Sequence, residues 1–129
     1  MYRDMKSNVD IAQTIAPQVQ TAGVVNGSDV DLRGYDAAMA ELNIGAIVTS
    51  GVVGYKLQES DVGAGAGYAD VLAADLQGAF VALAQNTVQR VGYAGAKRFI
   101  RAVATYASGT SVAHGCTIAR ECSSVRPLA

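Results

Sequence analysis

Two β-prone runs meet in the stretch NTVQRVGYAGAKRFIRAVATY, residues 86–106, and this stretch decides the fold class. Both runs contain β-branched and aromatic side chains, which suit the pleated surface of a sheet. The small residues between the runs suit a turn. We therefore predict a hairpin of strands 86–93 and 98–106, with Gly95 supplying the turn.

A basic cluster, Lys97, Arg98 and Arg101, lies just past the predicted turn. Such a cluster can bind phosphate, but ten basic residues against eleven acidic ones give this chain a net charge of −1. A nearly neutral chain favours pairing of these cations with acidic groups of the same chain or of a neighbour. Phe99 and Ile100 are expected on opposite faces of the second strand, because side chains alternate along a strand.

Period-two alternation of side chains recurs in other parts of the chain. It is clearest over residues 53–60, and it is also present over 36–48 and 112–119. Strands spaced about ten residues apart, with turn signals between them, are typical of β-sandwiches and jelly rolls. No β-α-β unit is evident, which argues against a parallel α/β fold. The sequence predicts an all-β, antiparallel, jelly-roll-like single domain.

The N-terminal segment, residues 1–24, does not read as part of this regular pattern. Pro17 interrupts its apolar residues, and proline removes a backbone donor and restricts the residue before it. One long helix is therefore disfavoured. We predict an extended N-terminal arm or edge strand over residues 1–24, followed by a sandwich domain over residues 25–129.

Composition limits the classes of protein to which this chain can belong. Its 129 residues suit one domain with its own core. Only 16% of residues are charged, against about 25% in typical domains, and a sparsely charged surface often has a partner covering it. No apolar run approaches the roughly 20 residues that span a bilayer, and the N-terminus lacks a signal-peptide hydrophobic region. We expect a protein made in a cytoplasm, without membrane or broad nucleic-acid binding.

Motifs that carry chemistry are weak in this sequence. Gly63-Ala-Gly-Ala-Gly67 lacks the Lys-Ser/Thr pair of a phosphate-binding loop, and we interpret it as a flexible interstrand loop. His114 lies in the middle of a predicted strand with no nucleophile elbow nearby, which favours a structural role. We therefore expect neither enzymatic activity nor a cofactor.

Cysteines and acidic residues likewise give no metal motif. Cys116 and Cys122 would lie ~20 Å apart on one continuous strand, and a disulfide needs Cα atoms within ~7 Å. Two reduced thiols, one of them buried, are expected. Asp61, Asp70 and Asp75 lack the spacing of an EF-hand, so turn capping and solvation are the favoured roles.

Four short motifs occur in a fixed order along the chain. They are Val30-Asp-Leu-Arg-Gly-Tyr-Asp36, Leu57-Gln-Glu-Ser-Asp61, Ala74-Asp-Leu-Gln-Gly78 and Tyr93-Ala-Gly-Ala-Lys-Arg-Phe-Ile-Arg101. The set resembles a family of small structural proteins of tailed bacteriophages and prophages, whose genes typically lie near that of the major capsid protein. The resemblance covers about residues 8–120 and supplies no catalytic residues. The loop after Asp61 and the C-terminus depart from the family pattern.

The resemblance implies a capsid decoration, or cement, protein on the virion surface, made in the host bacterial cytoplasm. Its partners would be the major capsid protein and other copies of itself, bound through many weak contacts repeated over a lattice. A head–tail connector or tail component is one alternative. A virion-surface carbohydrate-binding β-sandwich is another, although the absence of Trp weighs against it. The candidate contact residues are Tyr2, Arg3, Met5, Lys97, Arg98 and Arg101.

Overall fold

The computed structural model describes residues 5–122, and its regular structure is almost entirely β, which confirms the predicted fold class. The strands are β1 (Val9–Gln20), β2 (Val24–Asn26), β3 (Val30–Asp31), β4 (Tyr35–Val48), β5 (Val52–Ser60), β6 (Ala69–Asp70), β7 (Leu76–Gln77), β8 (Thr87–Tyr93), β9 (Phe99–Ser108) and β10 (Ser111–Cys122). One turn of 3-10 helix, Ala73–Asp75, precedes β7. The strands predicted over 36–48, 53–60 and 112–119 are all present, as β4, β5 and β10.

Two antiparallel sheets pack together as a sandwich. The first sheet has the strand order β1-β10-β4-β8-β7, and the second has β2-β9-β5-β6, with β3 also paired to β9. Strands that follow one another along the chain mostly lie in different sheets, as β4 and β5 do, and as β9 and β10 do. This crossing of the chain between two sheets is the jelly-roll arrangement.

The core lies between the two sheets and contains aliphatic side chains from both. Leu42 and Ile118 of the first sheet and Leu57 and Ile100 of the second are each no more than 2% exposed. Alanines such as Ala40 occupy other inward positions and are completely buried. From Ala38 to Ile44 the inward residues of β4 are the even-numbered ones, which agrees with the period-two pattern there. After a register shift the pattern changes, so that Ala46 is exposed and Ile47 packs against the core.

The predicted hairpin of residues 86–106 is wrong in its pairing. Strand β8 pairs with β4 and β7 in the first sheet, whereas β9 pairs with β5, β2 and β3 in the second. Residues 94–98 therefore cross from one sheet to the other. Gly95 has no positive φ, but a Cβ there would collide with the Tyr93 hydroxyl. The glycine is needed for close packing of the crossover and not for a hairpin turn.

Strand β1 forms one edge of the first sheet, alongside β10. Its Ile15 is only 1% exposed and belongs to the core. Its register with β10 shifts on both sides of Ile15, and Pro17 packs so closely on Gly115 that an added Cβ would approach the Pro17 Cα to 3.1 Å. The described part of segment 1–24 is thus an edge strand packed into the sandwich.

Candidate docking surfaces

Two of the three predicted basic residues are held by carboxylates of the same chain. The Lys97 Nζ lies 2.7 Å from an Asp61 carboxylate oxygen. Arg98 donates two hydrogen bonds to Asp31, 3.1 Å from Nε and 2.9 Å from Nη2. Such a two-point contact fixes the plane of the guanidinium as well as its position. The two pairs fasten the crossover to the end of β3 and to the loop after β5.

The third basic residue, Arg101, belongs to a polar network on the outer face of the second sheet. Its guanidinium donates to the Gln58 amide oxygen at 2.8 and 3.1 Å and stacks 4.1 Å above the Tyr68 ring. The Gln58 amide nitrogen donates to Asp70 at 2.9 Å, and Lys56 lies 3.1 Å from the same carboxylate. We call these five residues the polar network.

The electrostatics of these pairs are those of partly exposed ion pairs. Hydrogen bonds from Arg98 hold the pKa of Asp31 below its usual value, and the Gln58 and Lys56 side chains do the same for Asp70. The hydrogen bond to Asp61 raises the pKa of Lys97. All three ion pairs keep 40–62% of their side-chain surface exposed, so solvent screens them strongly. Their main effect is to hold charged groups at fixed positions on the surface.

A polar cleft of about 440 Å³ lies beside the crossover, between residues 32–38 and 93–98. Its wall includes charges of both signs, such as Arg33 and Asp36. The Tyr93 hydroxyl accepts the Lys97 backbone N–H at 3.1 Å and donates to Glu59 at 3.2 Å. Burial raises the pKa of Tyr93 to about 12, so this phenol stays protonated at neutral pH. The cleft presents mixed charge and no paired nucleophile and base among its lining residues.

The single histidine lies in the core, 3% exposed, and connects strands of both sheets. Its Nε2–H donates to the Gln20 amide oxygen at 2.8 Å, because the Gln20 amide nitrogen donates to the carbonyls of Gly23 and Ala104. His114 Nδ1 is therefore the acceptor for the Tyr55 hydroxyl. Both ring nitrogens are used inside the protein, and burial lowers the pKa of His114.

The glycine-rich loop closes on itself and not on a ligand. Ser60 Oγ accepts the N–H groups of Val62 and Gly63 at 3.0 and 3.2 Å and donates to the Ala66 carbonyl at 2.6 Å. The Gly65 N–H donates to Asp29 at 3.1 Å. A phosphate loop needs such N–H groups free to face the phosphate, and here three of them already have partners within the protein.

Neither a metal site nor a reactive thiol is found in the described part of the chain. Among residues 5–122, no three His, Cys, Asp or Glu side chains are grouped to hold a metal ion. Cys116 is a free, buried thiol, and burial raises its pKa to about 12. The side chain of Cys122 lies outside what the structure describes. Within the described residues, no helix is long and apolar enough to cross a membrane.

A second surface, the outer face of the first sheet, was missed by the sequence analysis. We define this outer face by the outward residues of three strands: Ala37, Met39, Glu41, Asn43 and Gly45 of β4, Val88, Arg90 and Gly92 of β8, and Ala113, Gly115, Thr117, Ala119 and Glu121 of β10. Most of these side chains are small or uncharged. The sequence did contain a signal for this face: the odd-numbered residues of β4, which alternate with its buried residues.

The predicted N-terminal contacts fall near this outer face or outside the described residues. Met5 is 74% exposed and lines the same shallow groove as Ile11 and Met39. Tyr2 and Arg3 lie outside the described residues, so their predicted role as contacts stays a prediction.

No protein-family model matches this chain, and neither a curated protein nor a solved structure is detectably similar to it. Its function must therefore be inferred from its surfaces and from the four ordered motifs. The motifs meet in space at the crossover: Asp31 of the first holds Arg98 of the last, and Asp61 of the second holds Lys97. The Asp75 carbonyl of the third motif accepts the Ala94 N–H of the last at 2.7 Å.

Proposed function

We propose that this chain is a bacteriophage capsid decoration protein, which binds the outside of the icosahedral head and stabilises the lattice of the major capsid protein. The observation that carries the proposal is the set of fixed, exposed charges formed where the four motifs meet. Jelly rolls also occur in viral capsid domains, which is support by analogy only, because one fold serves many functions.

Fixed charges suit a protein that must bind a repeated surface many times. Ordering a long side chain at an interface costs about 0.5–1.5 kcal/mol, and internal pairing of Lys97, Arg98 and Arg101 reduces that cost before binding. Each contact can then be weak, because neighbouring copies and a rigid lattice add avidity. In this proposal the crossover and the polar network face the shell, and the N-terminal residues Tyr2, Arg3 and Met5 extend the contact.

The test is occupancy on purified heads that lack this protein, measured by co-sedimentation. The variant carries Arg98→Ala and Arg101→Ala, and we expect it to fold but to occupy fewer sites at equal concentration. The matched control carries Arg98→Lys and Arg101→Lys. It keeps both positive charges and should retain more occupancy than the alanine variant, while losing the two-point contact and part of the stacking.

A density map of the phage particle decides between decoration and the other structural roles, because it shows where the copies of this chain lie. Copies spread over the outer shell support the proposal. One ring of copies per particle would identify a connector instead, and a location only on tails or only inside the head would exclude decoration. Unchanged occupancy of the alanine variant would remove Arg98 and Arg101 from the interface without excluding decoration itself.

A further inference from the structure

One asparagine of this chain has a neighbour that favours a spontaneous chemical change. Asn26 is followed by glycine, whereas the other asparagines precede Val9, Ile44 and Thr87, whose branched side chains hinder the reaction. Glycine has no side chain to shield its backbone nitrogen. In an unfolded Asn-Gly pair, that nitrogen loses its proton and bonds to the carbonyl carbon of the asparagine side chain. The side-chain amide nitrogen leaves as ammonia, and a cyclic succinimide remains.

The fold places this pair at the end of an edge strand. Strand β2 ends at Asn26, which is exposed, and in its sheet β2 is paired only with β9. Asn26 lies opposite Val103, and the next residue continues the ladder, because the Gly27 N–H donates to the Ala102 carbonyl at 2.8 Å. The nitrogen that would react is therefore held in a backbone hydrogen bond.

Ring closure is blocked in this arrangement. It needs a rotation about the Cα–C bond of Asn26, and that rotation would break the extended strand and the bond from Gly27 to Ala102. Thr14 of β1 strengthens the block from the other side. Its hydroxyl accepts the Ala102 N–H at 3.1 Å and donates to the Ser28 carbonyl at 2.9 Å, and its carbonyl accepts the Ser28 N–H at 2.6 Å.

We propose that Asn26 is a self-modification site, which the docking of β2 on β9 keeps unreactive and which the detachment of β2 makes reactive. The chain supplies both reacting groups, and water completes the reaction. The rate is then the fraction of time that β2 is detached, multiplied by the rate of the free pair. A three-residue edge strand opens at a lower free energy than core strands do. The inference does not depend on the proposed capsid role.

The reaction converts a transient opening into a permanent one. Water opens the succinimide on either side of its nitrogen, which gives aspartate or isoaspartate. Isoaspartate carries the main chain through the former side-chain methylene, so the backbone gains one carbon. The next residue has no space to adjust, because the carbonyl oxygens of Ala102 and Thr14 lie 2.7 and 2.8 Å from a Cβ built on Gly27. We expect the isoaspartate form to hold β2 away from β9.

The experiment compares the folded chain with the same chain unfolded in urea, both at mildly alkaline pH. Trypsin releases the peptide from Ser7 to Arg33, and mass spectrometry with fragmentation locates the deamidated residue. Asn8 lies in the same peptide and is a slow internal reference, because Val9 follows it. We expect Asn26 to deamidate at least about tenfold more slowly in the folded chain than in the unfolded one.

Two variants separate local detachment from complete unfolding. Thr14→Ala removes the hydroxyl that holds Ala102 and Ser28, and it should raise the folded-state rate at least about fivefold, which corresponds to one ordinary hydrogen bond. Thr14→Ser keeps the hydroxyl and is its matched control. Val91→Ala leaves a cavity on the first sheet, where Val91 is 1% exposed, and should lower global stability without raising the rate.

Each rate is divided by that of the same variant in urea, so that differences in intrinsic reactivity cancel. Equal rates in the folded and unfolded wild type would overturn the proposal, and so would a rate that Thr14→Ala leaves unchanged. A rate that rises as much in Val91→Ala would show that only complete unfolding exposes the site. If Thr14→Ala does not fold, Val25→Ala takes its place, because Val25 packs β2 against the core.

The permanence of the opening is measured on the purified isoaspartate form by urea unfolding. Freshly prepared Asn26→Asp is the matched control, since it adds the same charge without the additional backbone carbon. We expect the isoaspartate form to be less stable than this control. Equal stability of the two would show that β2 docks again after the reaction, and the site would then be a modification without a structural consequence.

Discussion

At the scale of single residues, the clearest constraint is the site where the turn after β2 packs against β1 and β9. The Gly27 N–H donates to the Ala102 carbonyl at 2.8 Å, and Thr14 Oγ1 accepts the Ala102 N–H at 3.1 Å and donates to the Ser28 carbonyl at 2.9 Å. A Cβ on Gly27 would lie 2.7 Å from the Ala102 carbonyl oxygen and 2.8 Å from that of Thr14. Since these obstacles are backbone atoms, they cannot rotate away.

Gly27→Ala should therefore destabilise the protein by about 1–3 kcal/mol, the usual cost of overpacking. Urea unfolding followed by circular dichroism measures the change. Gly54→Ala is the matched control, because nothing lies within 4 Å of its added Cβ and its φ is not positive. That variant should be neutral or more stable by up to about 1 kcal/mol. Equal stability of the two variants would contradict the assigned packing.

His114 should make stability depend on pH between neutral and mildly acidic conditions. Burial lowers its pKa from the ordinary value of 6.5, so the unfolded chain takes up a proton before the folded one does. The stability is thus fully present above pH 6.5 and is lost as pH falls toward the folded pKa, by at most about 1.4 kcal/mol per pH unit. Urea unfolding at a series of pH values measures this slope.

The protonation of His114 can also be observed directly, because the chain has a single histidine. Its imidazole proton signals in NMR should show a neutral ring down to a pH clearly below 6.5. A titration midpoint at 6.5 or above would contradict the buried hydrogen-bonded arrangement with Tyr55 and Gln20. His114→Gln removes the titrating group and should flatten the slope of stability against pH.

At the scale of strands, packing between segments that are distant in the sequence determines which strands pair with each other. Strand β8 has β4 as its partner over its whole length, but β7 covers only its last two residues. The Gln89 side chain accepts the Val81 N–H at 3.1 Å and donates to the Val81 carbonyl at 3.2 Å. These two bonds tie the irregular segment that precedes β8 to the strand, in a place where β7 no longer pairs with it.

Strand β1 should behave as part of the core and not as a detachable arm. Ile15 and Ile11 belong to the same strand, but Ile15 is 1% exposed and Ile11 is 62% exposed. Ile15→Ala should cost about 2–5 kcal/mol of unfolding free energy, and Ile11→Ala about 0.5 kcal/mol or less. Chemical denaturation of both variants makes the comparison. Small, equal effects would show that β1 is a separate arm.

At the scale of the whole molecule, the jelly-roll path makes most pairings non-local. Strand β1 pairs with β10 from the other end of the described chain, and β4 pairs with β8 and β10. Long chain segments must therefore come together before these contacts form, and that closure costs conformational entropy. The two sheets become stable together, because the core is shared between their inner faces.

Refolding should therefore be slow for a domain of this size, on a scale of milliseconds to seconds, as for other all-β sandwiches. Stopped-flow dilution from urea, followed by tyrosine fluorescence, measures the rate. A main phase in microseconds would indicate mostly local pairing and would contradict the crossing topology. The Gly54→Ala variant should refold in the same range as the wild type, because it leaves the topology unchanged.

The amino-acid sequence by itself determined the positions of the strands β4, β5, β8, β9 and β10. Alternation along β4, β5 and β10 reflects a local rule, that every second side chain of a strand faces the core, so neighbouring residues are enough to reveal it. The same local reasoning placed Phe99 and Ile100 on opposite faces of their strand and gave His114 a structural role. It also showed a basic cluster at Lys97, Arg98 and Arg101 and predicted pairing with acidic groups.

Only the tertiary structure decided which strands and charges are partners. Strands β8 and β9 look like a hairpin along the chain, yet they enter different sheets, because each gains more by burying its apolar face beside a distant strand. Lys97 pairs with Asp61, which lies 36 residues away in the sequence, and Arg98 pairs with Asp31, which lies 67 residues away. Such pairings depend on the free energy of the whole core, which no short window of sequence contains.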